Sequence, residues 1–128
     1  MRLLLDTHTF IWAATLDERL SSKAKTLLLD SDNELLLSTA SIWEMAIKTS
    51  LGKLILKQPI EQTINEQIQI NGLQILNIES AHALAMASLP WHHRDPFDRL
   101  LICQGKLENL IILGRDSVMD AYGVDRVW

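Results

Sequence analysis

The chain has little of what holds small proteins together covalently. Cys103 is the one cysteine among 128 residues, so no disulfide can form within the chain. It falls in an apolar stretch with a helical pattern, where a small thiol packs rather than reacts. Three prolines and five glycines exclude collagenous, proline-rich and flexible-linker organisation. Long hydrophobic runs are missing too. The opening MRLLLDTHTFIWAA begins with leucines, but Asp6 and His8 interrupt it before a signal-peptide core can form. No segment approaches the roughly 20 apolar residues that span a bilayer. A cytoplasmic protein without membrane attachment is the expectation. Positive charge is also short: sixteen Asp and Glu face twelve Lys and Arg, a net charge of −4. This argues against a simple basic nucleic-acid binder. The argument weakens if the acids are gathered, because four carboxylates set aside on a cation leave twelve of each sign.

What is present is an ordinary globular composition, 48% hydrophobic and 22% charged, on a chain long enough for one domain over residues 1–128 with a proper core. Short, near-continuous apolar runs at 2–5, 34–37, 73–78 and 110–113, with a last one at 125–127, read as strands of a parallel sheet covered on both faces. Helical patterns fall between them at 22–30, 40–50, from Pro59 through Ile60, Ile64 and Ile68, at 79–88 and at 96–108, with a short helix near 117–122. Residues 54–57 are ambiguous between an extended piece and a helical turn. Strands alternating with helices predict an α/β fold, a three-layer α/β/α sandwich around a central parallel sheet of about five strands.

In such a sheet, ligands bind beyond the carboxyl ends of the strands. Asp6 directly follows the first strand, and Asp116 lies three residues beyond Leu113. Glu44 sits a little over one turn into a helix that begins at the same edge. The helix from Pro96 returns about 18 Å at its normal rise, matching a strand of about 17 Å, so Asp98 reaches that edge as well. Each acid also has a purely structural reading. Asp6 closes a strand as a turn former or helix cap. Asp95-Pro96-Phe97-Asp98 is good capping grammar, with Asp95 as N-cap and Asp98 favourable to the helix dipole. Glu44 is flanked by Ile42, Trp43, Met45, Ala46 and Ile47, and a carboxylate buried there needs a partner.

Carboxylates that converge need a cation. Oxygen-only ligation selects Mg²⁺ or Mn²⁺, ions that commonly bind phosphate oxygens, so a phosphodiester is the natural substrate class. The histidines do not make a zinc site, since adjacent His92 and His93 with Cys103 match no zinc spacing. His92, His93 and Arg94 are expected on the rim of the loop as candidate RNA contacts, with Arg99 and Arg115 near the same edge. His8 and His82 are expected in structural roles.

These segments resemble PIN-domain ribonucleases, specifically VapC-like toxins of type II toxin–antitoxin pairs. The resemblance spans the whole chain and is carried by LLLDTHTFIW at 3–12, SIWEMAIK at 41–48, HHRDPFDRLLICQ at 92–104 and ILGRDSVMDAYGV at 112–124. It implies a five-stranded parallel sheet, a metal-dependent endoribonuclease acting on RNA, and Asp6, Glu44, Asp98 and Asp116 as catalytic, Mg²⁺- or Mn²⁺-binding acids. Asp95 is a candidate auxiliary ligand. It further implies homodimerisation and silencing by a small cognate antitoxin, for which residues 43–57 are a candidate apolar groove. Gly114 departs from the family pattern, which usually has Thr or Ser two residues before the fourth acid, and the lost hydroxyl bears on how that acid or its water is held. Gly105 replaces the usual small helix former.

The rivals are weaker. LLLDTHTF begins like the signature of haloacid-dehalogenase phosphatases, but His8 stands where the second Asp belongs. A receiver domain needs an Asp where the third strand ends at Asn77-Ile78. An inert PIN-like binding module acting through protein contacts remains the alternative from a different class.

Overall fold

The computed structural model describes residues 1–128. Five parallel strands, β1 (Arg2–Leu5), β2 (Glu34–Ser38), β3 (Gln74–Leu76), β4 (Ile111–Leu113) and β5 (Arg126–Val127), form one sheet in the order β3-β2-β1-β4-β5. Around them lie helices α1 (Thr7–Thr15), α2 (Ser22–Leu29), α3 (Thr39–Ser50), α4 (Ile60–Asn71), α5 (Ser80–Ala85) and α6 (Pro96–Leu107). Short 3-10 helices occupy Met86–Ser88 and Ser117–Tyr122. This is the expected α/β/α sandwich. No helix is long and apolar enough to cross a membrane.

The central strands β1, β2 and β4 carry continuous apolar runs, beyond Arg2 and Glu34 at the starts of β1 and β2, because both faces are buried. The edge strands β3 and β5 are exposed or half-buried. Side chains alternate along a strand, so Leu3 and Leu5 join Phe10, Leu35, Leu37 and Met45 on one side. Leu4 and Leu36 join Leu101, Ile112 and Met119 on the other. Leu4 is fully buried, and truncating such a leucine to alanine costs about 2–5 kcal/mol.

Register sets the functional edge. Leu5 pairs with Leu37 on one side and Leu113 on the other, so β1, β2 and β4 end level. The chain leaves β1 and β2 for helices on the sheet's faces, and β1 is the strand from which the order runs both ways. The crevice beyond β1 and β4 is therefore the place where such sheets hold ligands.

Three local expectations needed correction. The segment after Asp6 carried no helical reading, yet it forms α1, capped by the Asp6 side chain and stopped by Leu16 at φ 53°. The helix at 79–88 ends as a regular helix at Ala85 and finishes as a 3-10 turn. Residues 54–57 are neither strand nor helix.

Candidate active site

Three of the four predicted acids meet in one cavity. Asp6, Asp98 and Asp116 line a space of about 440 Å³, together with His8, Trp12, Arg19, Arg115 and Ser117. Asp6 and Asp116 combine their structural reading with the functional one. Asp6 Oδ1 accepts the Thr9 N–H at 2.8 Å, capping α1. Asp116 Oδ1 accepts the Val118 N–H at 3.0 Å, capping the 3-10 helix. Each acid thus uses one oxygen on the backbone and leaves the other free of that duty. Asp98 stands in the first turn of α6, whose N-cap is Asp95 through a 2.9 Å bond from the Phe97 N–H.

His93 joins two of them. Its Nε2 lies 2.8 Å from Asp116 Oδ2 and 3.1 Å from Asp98 Oδ2. Its Nδ1 accepts the Asp95 N–H at 3.1 Å. A nitrogen that accepts is the unprotonated one, so Nε2 carries the proton and donates to the acids. Burial, with the Asp95 charge next in weight, pushes the Asp98 carboxyl up to about 7, against a lowering pull from His93. Burial also raises Asp6, opposed by the hydrogen bonds from Thr9. The cause is the same at both: carboxylates withdrawn from water and crowded together hold their protons more tightly.

Gly114 makes room for Asp6. A Cβ on residue 114 would stand 2.5 Å from Asp6 Oδ2 and 3.0 Å from Asp6 Cγ. The glycine is thus more than a lost hydroxyl: the Asp6 carboxylate fills the space a side chain would take. Arg126 braces this turn from behind, donating to the Gly114 carbonyl at 3.0 Å and pairing with Asp120.

The donor set fits a hard divalent cation. One ligand atom each from His93, Asp98 and Asp116 lies within 4.8 Å of the others, and Asp6 opens into the same cavity. Three carboxylates offer the oxygen donors that suit Mg²⁺ or Mn²⁺, and burial makes the charge of two of them, Asp6 and Asp98, unfavourable without a cation.

Glu44 stands back from the cavity. It is 3% exposed. Thr7 Oγ1 donates to its Oε1 at 2.7 Å and lies 2.9 Å from Ser41 Oγ. Lys48, one turn along α3, reaches Oε2 at 2.6 Å. The partner that a buried carboxylate requires is therefore found inside the protein. The Glu44 charge is nevertheless felt at both Asp6 and Asp98.

Residues 3–124 match the family model of the PIN domain. The chain belongs to the PIN-domain family. No match is found among curated proteins. The fold is similar to that of solved structures over nearly their whole length. VapBC2 from Rickettsia felis, bound to a DNA fragment from its promoter, aligns with a TM-score of 0.72 at 15% identity, covering 99% of this chain and 98% of that one. FitAcB from Neisseria gonorrhoeae gives 0.67 at 18%, covering 98% and 96%. DNA-bound VapBC from Salmonella typhimurium gives 0.68 at 13%, covering 99% and 97%.

In this PIN domain the loop before α6 is arranged differently from expectation. His93 points inward to the acids instead of lying on the rim. His92 is exposed and packs edge-on against Tyr122, ring centroids 5.1 Å apart. Arg94 and Arg115 are exposed, and Arg115 lines the cavity. Arg99 is the clear correction among the candidate RNA contacts. It is 2% exposed, donates to the carbonyls of Leu89 and Pro90 and to Tyr122 Oη, and lies 3.7 Å from the Trp91 ring centroid. It ties the loop to α6 and has no face left for substrate. His8, expected to be structural, is exposed on the cavity wall against Trp12. His82 is buried and satisfied, accepting from Glu79 N–H and bonding Glu108.

Residues 43–57 present an exposed stripe, Trp43, Ile47 and Leu51, and Thr49, Leu56 and Lys57 line a small pocket of about 260 Å³. The large apolar groove, about 530 Å³, lies elsewhere, between α1, α2 and α4, and includes Leu16, Leu28, Leu29 and Ile70. Thr7, Trp12, Arg19 and Lys48 were missed as parts of the site. Only Lys48 carried a usable signal, its spacing of four from Glu44 on one helix.

Proposed function

We propose that this PIN domain is a metal-dependent endoribonuclease of the VapC-like toxin type, hydrolysing RNA phosphodiester bonds. The observation that carries the reading is the meeting of Asp6, Asp98 and Asp116 in one cleft beyond β1 and β4. Mg²⁺ or Mn²⁺ there supplies charge neutralisation, phosphate binding and an activated water. The chain's own residues prepare for it. Asp6 and Asp116 are fixed by their capping bonds, so little conformational freedom is lost when they act together. Asp6, Asp98 and Asp116 would hold the ion, and Asp98 would do so in its ionised form. Glu44, held behind the cavity by Thr7 and Lys48, contributes through its charge on Asp6 and Asp98 rather than as a direct ligand. Asp95 keeps its role as helix cap and adds negative charge beside Asp98.

The partner in this reading is a small antitoxin, in keeping with the VapBC and FitAcB complexes that share the fold. Its seat is the apolar groove, where Leu16, Leu29 and Ile70 are 90%, 82% and 69% exposed. Apolar patches of this kind mark interaction sites. A second copy of the chain covers Trp43, Ile47 and Leu51, which recur every four residues along α3 and its C-cap. The cytoplasm, where RNA is available, is the compartment this reading requires.

Asp6→Asn tests the reading. Asparagine caps a helix as well as aspartate, so α1 should persist while metal-dependent cleavage of a mixed RNA pool is lost. Persistent cleavage by Asp6→Asn contradicts it. The same groove also favours a second reading, an inert PIN-like binding module; in that case the unmodified protein cleaves no RNA either.

A further inference from the structure

The cleft has a second wall, built of cations. Arg19, in the loop between α1 and α2, and Arg115, next to Asp116, both approach the indole of Trp12. Their guanidinium carbons lie 5.0 and 6.0 Å from its centroid. Trp12 is buried and packs edge-on against Trp128 at 5.8 Å, so it is a fixed post rather than a mobile side chain. Asp17 takes Nε and Nη2 of Arg19 at 3.0 and 2.7 Å, setting the plane of the fork and leaving its remaining donors open.

Across the same cavity stand Asp6, Asp98 and Asp116, yet neither arginine pairs with them. Arg19 has Asp17 as its carboxylate partner, and Arg115 has none. Opposite charges that share a cavity of about 440 Å³ without closing on each other leave a gap with two unlike sides. One side suits a cation. The other presents planar forks suited to phosphate oxygens. Exposed arginines elsewhere on a surface are commonly just solvated. These two differ in sharing one aromatic post and one cavity with the acids.

Resting on the nuclease reading, we infer that Arg19 and Arg115, braced on Trp12, form a clamp for an RNA phosphate adjacent to the one cleaved. The clamp works with the cation, because three unneutralised carboxylates opposite it repel the strand.

The test is the binding of a short fluorescein-labelled single-stranded RNA of mixed sequence, read by anisotropy in Ca²⁺, a hard ion that seeks the same oxygens. Arg19→Gln combined with Arg115→Gln should weaken binding at least about tenfold. It should also lower the slope of log affinity against log salt by about 1.4, two phosphate contacts at about 0.7 each. Arg2→Gln removes one positive charge from the amino end of β1, where Arg2 pairs with Glu34, and should change neither quantity. Lysine at both positions keeps the charge and therefore the slope, but loses the fork and part of the affinity. That pair carries the test if the glutamine pair does not fold. Unchanged affinity and slope in the glutamine pair, equal losses in Arg2→Gln, or full affinity in the lysine pair each overturn the clamp. Cleavage of the same RNA in Mn²⁺ is scored separately. Arginine-dependent binding without cleavage retains the clamp and removes the nuclease; cleavage with arginine-independent binding does the reverse.

Discussion

Gly114 and Asp6 are fitted to each other: the Asp6 carboxylate occupies the space in which a side chain on residue 114 would stand, 2.5 Å from where its Cβ would be. The overlap falls on a carboxylate held by the Thr9 N–H, so relief requires Asp6 to turn and lose its place in the cavity. Gly114→Ser should therefore fold, yet bind Mn²⁺ at least about tenfold more weakly, about 1.4 kcal/mol, as read by a fluorescence titration. Tighter binding in Gly114→Ser means instead that the missing hydroxyl is what limits this site.

His93 supplies a proton between Asp98 and Asp116. His93→Ala leaves those carboxylates facing each other with no donor, and hydrogen bonds to charged groups contribute about 1.5–3 kcal/mol. Asp116 is partly exposed, 39% at the side chain, so about 1 kcal/mol is the reasonable expectation. The metal-free variant should melt about 2–5 °C lower at neutral pH, and Mn²⁺ should restore more of its stability than it adds to the unmodified protein. An unchanged melting temperature without metal counts against the bridging role.

The pH dependence follows from Asp98, raised by burial to about 7 from 3.8. The folded, metal-free state holds this proton where the unfolded chain has released it. Asp98 therefore contributes stability that is present below about pH 4 and fades as pH rises towards 7. A cation must displace the proton, so Mn²⁺ affinity should climb about tenfold per pH unit below 7 and level off above it. Calorimetric titration across this range checks the slope. Asp98→Asn should flatten it, and a flat profile in the unmodified protein contradicts the assignment.

Lys48 and Glu44 form a pair of unequal burial, 36% and 4% exposed at the side chain. Removing the cation strands a buried carboxylate, whereas removing both charges strands nothing. Lys48→Met should cost about 1–3 kcal/mol, and Glu44→Gln with Lys48→Met should recover most of it. Denaturant unfolding of the four proteins of this cycle gives the coupling. Additive losses mean that the pair is not coupled.

Arg99 binds the protein rather than RNA. Arg99→Ala leaves the carbonyls of Leu89 and Pro90 and the Tyr122 hydroxyl without their donor and should cost about 3–5 kcal/mol. Thermal unfolding separates this from loss of a substrate contact, which leaves the melting temperature in place.

The sheet was legible because strands buried on both faces must be apolar at every position, as LLL at 3–5 and at 35–37 are. The edge for the site followed from the same reading, since Asp6 and Asp116 stand directly beyond two such runs. Helix α1 was not legible: THTFIWAAT is rich in β-branched and aromatic residues, and its helix depends on the Asp6 cap and burial of Phe10 and Trp12. Spacing places a residue on an element but not the rotamer that aims it, so the inward turn of His93 could not be read. Arg99 did carry a signal. It precedes Ile102 and Cys103 by three and four positions, which puts it on the core face of α6, where an arginine survives only if its donors are all met. The retreat of Glu44 from the cavity was half legible, through its apolar neighbours and the Lys48 spacing.

The measurement closest to the central claim is cleavage of a mixed RNA pool by purified, partner-free protein in Mg²⁺, Mn²⁺ or EDTA, beside folded Asp98→Asn. The account predicts cleavage with either ion, none in EDTA, and a loss of at least about a hundredfold in Asp98→Asn, about 2.7 kcal/mol of barrier. Cleavage that persists in EDTA, or that Asp98→Asn retains, contradicts it.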